Sequence, residues 1–296
     1  MNGIIVIDKP SGITSFRVIS ILRRLLGLKR IGHSGTLDPM ATGVLPVFLG
    51  TAARSVDILP DTNKTYLAEV IFGLETDTQD ITGEVISKSN KTPSFEEVEN
   101  ALMSFLGDIE QIPPMYSAVS VGGKRLYELA REGKTVEREP RKVRINSLKM
   151  ISFNENKITF SVSCSKGTYI RTLADDLGKK LGCGACLSSL RRTAAGIFNE
   201  TDSITIEELE KAIIDNKLGE IIKPTETVFK SYCSVRLSEK QTVMYNNGVT
   251  LDAGRITGAM GKGTVRVKSF TGEFLGLAEE IDGEFKIIKN LRGELL

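Results

Sequence analysis

Hydrophobic residues recur along this chain with two spacings, one typical of helices and one typical of strands. Three segments place a capping serine or threonine directly before apolar residues at helical spacing, which predicts the start of a helix. These segments begin at Thr14-Ser15, at Ser94-x-x-Glu97 and at Thr205-x-x-Glu208. Gly27 and Gly107 are expected to end the first two helices.

Two other segments alternate apolar and polar residues, which predicts strands with one buried face. Their apolar residues are Tyr66, Ala68, Val70 and Phe72 in the first segment, and Ile158, Phe160, Val162 and Cys164 in the second. Several predicted strands follow one another without a helix between them. The pattern therefore favours an α+β fold with a mixed, largely antiparallel sheet over a doubly wound one.

The pattern changes near Lys223-Pro224. Short strands separated by glycine-containing turns follow at 264–268, 274–278 and 285–288. They predict a small C-terminal β-barrel in which Arg266 and Lys268 lie on the face opposite Val265 and Val267. We therefore divide the chain into residues 1–225 and 226–296.

The composition is that of an ordinary globular protein. Of 296 residues, 41% are hydrophobic and 26% are charged, which excludes disordered, collagen-like and disulfide-stapled chains. No apolar stretch approaches the roughly 18 residues that a membrane-spanning helix needs. The Met-Asn-Gly start has no basic residue ahead of its apolar run, so we expect no signal peptide, no membrane association and a cytoplasmic location.

Charge is segregated along the chain although the net charge is only +2. Residues 61–112 hold three Lys or Arg against eleven Asp or Glu, whereas residues 113–150 hold nine against four. A basic segment of this kind is typical of a surface that binds a polyanion. The alternative is that both segments are simply solvated faces.

The densest glycine-containing segment, 32–43, carries the only histidine of the chain, His33, and a carboxylate five residues later, Asp38. Such a loop lets the backbone approach a ligand closely. The alternative is structural, because Asp38-Pro39 also fits the first two positions of a helix. The sequence contains no G-x-x-x-x-G-K-[ST] phosphate loop.

A second candidate is Arg171, in a predicted helix that Thr168 could cap. The helix dipole disfavours a cation in the first turn, and Asp175 stands in the less favourable order for an ion pair with Arg171. A residue that breaks two local rules is a candidate for function. The alternative is a surface arginine paired with a nearby acid.

Cys183 and Cys186 form a C-x-x-C pair, but zinc would need two more ligands, and a thioredoxin-like site would need a surrounding βαβ pattern. We expect all four cysteines to be small buried or partly buried thiols, with a redox or metal role as the alternative. The sequence predicts no metal site.

Seven blocks occur together in one order between residues 5 and about 200 and resemble the TruB family, the bacterial tRNA pseudouridine-55 synthases. The blocks are Asp8-Lys9-Pro10-Ser11-Gly12-Ile13-Thr14-Ser15, Gly32-His33-Ser34-Gly35-Thr36-Leu37-Asp38-Pro39, Lys64-Thr65-Tyr66, Gly73-Leu74-Glu75-Thr76-Asp77-Thr78-Gln79-Asp80, Pro113-Pro114-Met115-Tyr116-Ser117-Ala118, Tyr169-Ile170-Arg171 and Leu190-Arg191-Arg192-Thr193. The tail resembles, less specifically, the small RNA-binding barrel called PUA. The resemblance implies a pseudouridine synthase fold with a catalytic domain at 1–225 and a PUA-like RNA-binding domain at 226–296.

The resemblance also implies a catalytic set. Asp38 matches the family's essential aspartate, which frees the uridine base so that it can turn and rejoin the ribose through carbon. Arg171 matches the arginine that pairs with this aspartate, and Tyr66 matches a tyrosine that stacks on the flipped base and is placed for proton transfer. No metal or organic cofactor is expected.

Further residues of these blocks are expected to contact the substrate. Leu190 matches an apolar wall of the pocket, and His33 matches a histidine thought to help hold the flipped-out conformation of the RNA loop. The other expected contacts are Lys9, Lys64, Asp80 and Tyr169.

The basic segment 113–150 resembles the mobile insertion of the family that closes over tRNA. Its expected phosphate contacts are Lys124, Arg125, Arg141 and Lys142. The implied partner is the T-arm stem-loop of tRNA, bound by a monomer without a guide RNA.

Three other functions stay open at this point. The guide-RNA-dependent pseudouridine synthases of archaea and eukaryotes share the catalytic blocks, although the basic insertion favours the stand-alone type. The chain could also be a non-catalytic RNA-binding or tRNA-folding protein. A glycosidase is disfavoured because only one persuasive carboxylate is present.

Overall fold

Three helices begin where the sequence predicts them. A computed structural model describes residues 1–256 and 263–293. The Thr14 side chain accepts a hydrogen bond from the Arg17 amide, and the Ser94 and Thr205 capping boxes are both complete. Gly27 ends the first helix with a φ of 64°, the left-handed conformation that glycine adopts readily.

The elements of the described residues are numbered here in chain order. The α-helices are α1 (Ser15–Leu26), α2 (Phe95–Met103), α3 (Leu126–Arg131), α4 (Ile170–Leu181), α5 (Ile206–Ile214), α6 (Leu218–Ile221) and α7 (Glu239–Asn246). The strands are β1 (Gly3–Lys9), β2 (Ile31–His33), β3 (Thr42–Leu49), β4 (Lys64–Phe72), β5 (Leu74–Thr76), β6 (Val85–Lys88), β7 (Gly107–Gln111), β8 (Ser120–Val121), β9 (Lys124–Arg125), β10 (Arg141–Asn154), β11 (Lys157–Cys164), β12 (Ala185–Ala195), β13 (Phe198–Asn199), β14 (Ser234–Arg236), β15 (Leu251–Asp252), β16 (Thr264–Lys268), β17 (Phe274–Ile281) and β18 (Glu284–Asn290). Short 3-10 helices lie at Gly50–Ile58, Glu200–Asp202, Thr225–Phe229 and Ala253–Arg255. Among the described residues, no helix is long and apolar enough to cross a membrane.

The chain forms two compact units. The first unit takes the described residues of Met1–Asp38, Val44–Asp61 and Ile197–Leu296, and the second takes Pro39–Gly43 and Thr62–Gly196. The boundary predicted at residue 225 lies inside the first unit. Residues 257–262 and 294–296 of the predicted C-terminal domain lie outside the described residues.

The second unit is built on a sheet in which β12, β4, β11, β10 and β7 are neighbours in that order. All four pairings are antiparallel, and Thr42 and Gly43 add a parallel pairing with β12. The predicted apolar faces of β4 and β11 are buried, and α4 packs against β12. The expectation of a mixed, largely antiparallel sheet is confirmed.

Two helix ends differ from the sequence prediction. Helix α2 stops at Met103, and Gly107 instead opens β7 with a φ of 99°. Thr168 does not cap α4, because Tyr169 is the N-cap residue and the Thr168 hydroxyl donates to the Ser165 carbonyl at 2.9 Å.

The basic segment 113–150 is partly loop and partly core strand. Its first part leaves the sheet and forms the β8–β9 hairpin and the short helix α3. From Arg141 onward it becomes β10, which lies between β7 and β11. Arg141 and Lys142 are exposed on this strand, opposite Gln111 and Glu110.

In the first unit, β3 is hydrogen-bonded to β1 and also to β2. The segment 32–43 connects β2 to β3. The apolar run Ile4–Ile7 of β1 is almost fully buried. Backbone bridges join Ile4 to Lys223 and Ile7 to Ile204, so this strand is held from both of its ends.

The C-terminal strands of the first unit form an open sheet in the order β14, β16, β17, β18 and β15. The prediction of a closed, PUA-like barrel is therefore not confirmed: β14 and β15 are opposite edges, and no pairing joins them within the described residues. Helix α7, which the sequence pattern did not reveal, places the fully buried Tyr245 in the core of this sheet. The Tyr245 hydroxyl donates to the Leu277 carbonyl at 3.3 Å, which ties α7 to β17.

Candidate functional site

The start of α4 in the second unit lacks a side-chain cap of its own. Gln111, which is 1% exposed, takes over this function. Its Oε1 accepts from the Tyr169 amide at 2.9 Å, and its Nε2 donates to the Tyr169 carbonyl at 3.1 Å. The last residue of β7 thus fixes the backbone of Tyr169, two residues before Arg171.

The Arg171 side chain is buried, with 5% of its surface exposed, so the alternative of a surface arginine is wrong. Its Nη1 donates to the Thr78 carbonyl at 3.1 Å, and its Nη2 donates to the Tyr116 carbonyl at 2.9 Å. Asp80 Oδ2 lies 3.7 Å from Nη1, and this carboxylate is also buried. The planar guanidinium is held by two loops and an acid, which fixes its orientation.

Asp80 belongs to a tight turn that satisfies its other carboxylate oxygen. Thr78 Oγ1 donates to Asp80 Oδ1 at 2.9 Å, and the amide and hydroxyl of Thr82 donate at 3.0 and 2.5 Å. Gly83 closes the turn, where a Cβ would lie 2.4 Å from Asp77 Oδ1. The structure therefore brings two predicted site residues, Asp80 and Arg171, together.

The neighbouring residue Gln79 ties the same turn to α4. It has a φ of 64°, its Nε2 donates to Asp175 Oδ2 at 2.7 Å, and its Oε1 accepts from the Thr172 hydroxyl at 3.0 Å. Lys179 donates to the same Asp175 oxygen at 2.7 Å. Asp175 thus binds Gln79 and Lys179, whereas the acid beside Arg171 is Asp80.

Tyr66 and Arg192 are cross-strand neighbours on β4 and β12. Tyr66 is 6% exposed and Arg192 is fully buried. Burial lowers the pKa of the Arg192 guanidinium, and the charge of the Tyr66 phenolate and a hydrogen bond with Tyr66 act in the opposite direction. Leu190, the predicted apolar wall, is buried two residues earlier on β12, and Lys64 begins β4 with its ammonium donating to the Thr62 carbonyl at 3.2 Å.

The remaining predicted pocket residues lie in the first unit. Lys9 is fully buried, and its ammonium donates to the carbonyls of Pro10 and Ile13 at 2.8 and 2.7 Å. His33 ends β2, and its Nδ1 accepts from the Gly35 amide at 3.2 Å.

Asp38 is half-buried in a loop, and the alternative that it starts a helix is wrong. A turn at Pro39-Met40 leads directly into β3. One residue earlier, the amide of Leu37 donates to Ser15 Oγ at 2.8 Å, and this hydroxyl donates to the Leu37 carbonyl at 3.1 Å. The loop that carries Asp38 is therefore anchored to the start of α1.

The predicted phosphate contacts are on the surface. Lys124 lies 3.8 Å from Glu132, and Arg125 donates to the Ala118 carbonyl at 2.8 Å. Beside Arg141 and Lys142, the exposed Arg144 forms two hydrogen bonds with Asp108 at 3.0 and 2.9 Å.

Sequence reasoning missed a second basic surface, on α1 and the loop that follows it. Residues 15–30 contain five basic side chains and no acid. All five are exposed, and the exposed Phe16 ring lies under the Arg23 guanidinium with 6.0 Å between them. A count of basic and acidic residues over 15–30 would have revealed this basic surface from the sequence.

The cysteines are free thiols, and Cys164, Cys183 and Cys186 are buried as expected, whereas Cys233 is exposed. Burial raises the pKa of the Cys186 thiol to about 11, which makes it unreactive at neutral pH. Within the part of the chain that the structure describes, no group of three or more His, Cys, Asp or Glu residues is arranged to hold a metal ion.

Two family models match the chain. The model described as "TruB family pseudouridylate synthase (N terminal domain)" matches residues 23–170, and the model described as "tRNA pseudouridylate synthase B C-terminal domain" matches residues 171–230.

Several relatives carry the name tRNA pseudouridine synthase B. One from Dehalococcoides mccartyi is 47% identical over 257 residues, which cover 86% of this chain and 86% of the relative. One from Clostridium tetani is 40% identical over 292 residues and covers 98% of this chain and 100% of the relative. One from Francisella tularensis is 42% identical over 283 residues, with 94% and 91% covered.

Solved structures share the fold over nearly the whole chain. A chain in the crystal structure of a Cbf5-Nop10-Gar1 complex superimposes with a TM-score of 0.75 at 25% identity, covering 98% of this chain and 85% of its own. A chain of an H/ACA RNP bound to a substrate RNA containing 2'-deoxyuridine gives a TM-score of 0.74 at 23% identity, with 98% and 85% covered.

Proposed function

Since the chain belongs to the TruB family of pseudouridylate synthases, we propose that it converts uridine 55 in the T-loop of tRNA to pseudouridine. The relatives named tRNA pseudouridine synthase B match it over nearly their full length. One observation supports the step from family to activity: Arg171 is a buried cation with an oriented guanidinium, held by Asp80 and two backbone carbonyls. A group fixed in this way suits catalysis better than general RNA binding.

The reaction is an isomerisation that starts with the carboxylate of Asp38. The carboxylate acts on the flipped uridine, and the bond between N1 and C1' breaks. The base turns, and a bond forms between C5 and C1'. The proton on C5 then leaves, and N1 gains a proton, so the product has the same atoms as the substrate. This balance requires neither a cofactor nor a consumed water.

The other predicted residues serve this step. Arg171 holds the Asp38 carboxylate ionised and aimed. Tyr66 stacks on the base and takes the C5 proton, and Leu190 forms an apolar wall. Substrate contacts are also proposed for His33, Lys9, Lys64, Asp80 and Tyr169.

Phosphate contacts come from Lys124, Arg125, Arg141 and Lys142 on the exposed face of the basic segment. Since backbone contacts dominate RNA affinity, this segment lets a single copy of the chain bind the T-arm without a guide RNA. We place the protein in the cytoplasm on the strength of its proposed tRNA substrate.

The test is incubation of the purified protein with an unmodified tRNA transcript, followed by mapping of pseudouridine at single-nucleotide resolution. We expect product at position 55 alone. The control is Asp38→Asn, which keeps the shape of the side chain and removes its charge, so it should abolish turnover and leave tRNA affinity within about tenfold. Product elsewhere would contradict the site, and retained binding without product would favour the non-catalytic alternative.

A further inference from the structure

The Arg192 side chain is fully buried, and it is the largest fully buried side chain among the described residues. An arginine cannot lose its charge at physiological pH, and burying a charge without compensation destabilises a protein strongly. A completely buried guanidinium inside a sheet therefore needs an explanation in terms of what it contacts.

The backbone of Arg192 is fixed on both sides. On one side it is the register partner of Tyr66 on β4, and on the other it is the parallel partner of Gly43. Gly43 has a φ of 102°, and a Cβ at this position would lie 2.2 Å from the Arg192 carbonyl oxygen. A register shift follows directly after Arg192, before Ala194, and such bulges redirect neighbouring side chains.

The hydrogen bond with Tyr66 has only one possible direction. A guanidinium has donors and no acceptor, so Arg192 donates and the phenol oxygen of Tyr66 accepts. A donor and a positive charge at a phenol oxygen both favour its ionised form. The effect is mutual, because the charge of Tyr66 also stabilises the Arg192 cation against its burial.

We propose that Arg192 is a positioning residue for Tyr66, which holds the phenol oxygen in place and supplies the positive charge that lets this oxygen accept the C5 proton. The phenol first loses its own proton to solvent, and the phenolate oxygen then takes the C5 proton. As it does so, the C5–H electron pair forms the C5=C6 bond, the N1=C6 pair moves to N1, and N1 takes a proton from solvent. The inference rests on the proposed function of Tyr66. It adds a cation and hydrogen-bond donor at the oxygen that takes the proton.

The first experiment is a double-mutant cycle of Arg192→Gln and Tyr66→Phe, read as single-turnover rates on tRNA over a range of pH. We expect Arg192→Gln to lower the rate about a hundredfold, to move the rising part of the pH profile to higher pH, and to leave tRNA affinity within about threefold. In the Tyr66→Phe background the same substitution should have no further effect on the rate. Equal effects in both backgrounds would overturn the proposal and reduce Arg192 to a structural residue.

The second experiment needs no substrate and so separates this proposal from the proposed function. Ultraviolet absorbance reports tyrosine ionisation, and subtraction of the Tyr66→Phe protein isolates Tyr66. Without the guanidinium, Tyr66 should ionise at a higher pH in Arg192→Gln than in the unaltered protein. An unchanged ionisation would overturn the inference even if pseudouridine forms.

The matched control is Arg191→Gln, because Arg191 is the neighbouring arginine on β12 and its Nη1 lies 3.4 Å from Thr42 Oγ1. This variant should leave the ionisation of Tyr66 unchanged. If Arg192→Gln does not fold, Arg192→Lys is measured instead, because it keeps the charge and loses the planar fork. In the Arg192→Lys protein, Tyr66 should ionise at nearly the same pH as in the unaltered protein, but the single-turnover rate should be lower. An unchanged rate would overturn the positioning role.

Discussion

Two arginine–aspartate pairs of the second unit differ in a way that distance alone does not reveal. Arg144 and Asp108 are only 2.9 Å apart, but their side chains are 60% and 73% exposed. Arg171 and Asp80 are 3.7 Å apart, with 5% and 6% exposed. Exposed pairs contribute little to stability because water and salt screen them, whereas removing one partner from a buried pair is costly. The shorter contact is therefore the weaker constraint.

The difference fits the two roles that the proposed function requires, phosphate binding and orientation of a reacting group. Arg144 can exchange Asp108 for a phosphate at small cost, because both states are solvated. Arg171 cannot move without giving up its hydrogen bonds to the Thr78 and Tyr116 carbonyls and its ion pair with the buried Asp80. Exposed cations suit an adaptable binding surface, and buried cations suit a reaction that depends on orientation.

The strongest test of this comparison is the same substitution in both pairs. Arg171→Lys keeps the charge but cannot reproduce bonds from two guanidinium nitrogens to two carbonyls, so we expect the single-turnover rate to fall about a thousandfold. tRNA affinity should stay within about tenfold. Arg144→Lys should change the rate by less than about twofold, and similar rates for the two variants would remove Arg171 from the catalytic set.

The second test separates stacking from proton transfer at the buried Tyr66. Tyr66→Phe keeps the ring, so tRNA should bind normally, but the hydroxyl that accepts the proton is gone and the rate should fall about a hundredfold. Tyr66→Leu should also lose affinity, because base stacking contributes roughly 1 to 3 kcal/mol. Full-speed conversion by the phenylalanine variant would leave Tyr66 with a stacking role alone. Rates and filter binding measure the two effects.

The third test concerns stability. Asp80→Asn removes the charge next to Arg171, and we expect the free energy of unfolding to fall by about 3 kcal/mol. Asp108→Asn, the matched change in the exposed pair, should cost less than about 0.5 kcal/mol. Denaturant unfolding of both variants measures the difference, and equal losses would mean that burial does not set the strength of these pairs.

The smallest effect per residue is expected on the surface. Replacement of Lys124, Arg125, Arg141 and Lys142 by glutamine should flatten the dependence of log affinity on log salt by roughly 3 to 4, with little change in the rate at saturating tRNA. Arg266→Gln with Lys268→Gln is the control, because Glu226 already binds both cations at 2.6 and 3.0 Å. An unchanged slope in the fourfold variant would place the RNA on another surface.

Local signals in the sequence predicted local structure correctly. The caps at Thr14, Ser94 and Thr205 use side chains within three residues of their targets, and the alternation in β4 directly reflects burial on one face. Helix α7 was missed because only Thr242 and Tyr245 of its residues are buried, so its apolar pattern is too sparse to detect.

Arg171 shows where sequence reasoning stops. Its poor fit to the first turn of α4 identified it as unusual, and the resemblance supplied a role. Its carbonyl partners could not be predicted, because Thr78 and Tyr116 lie 93 and 55 residues away along the chain. Arg192 gave no signal of its own, since nothing in a strand sequence distinguishes an arginine that points to water from one buried against a tyrosine.

The approach of Gly43 to β12 also limits how this protein can evolve. Gly43 ends the segment that begins at Asp38, and even a methyl group there would collide with the Arg192 carbonyl. Any lineage that replaced this glycine would have to displace a strand of the central sheet. The contact between these two backbones leaves no room for a side chain at position 43.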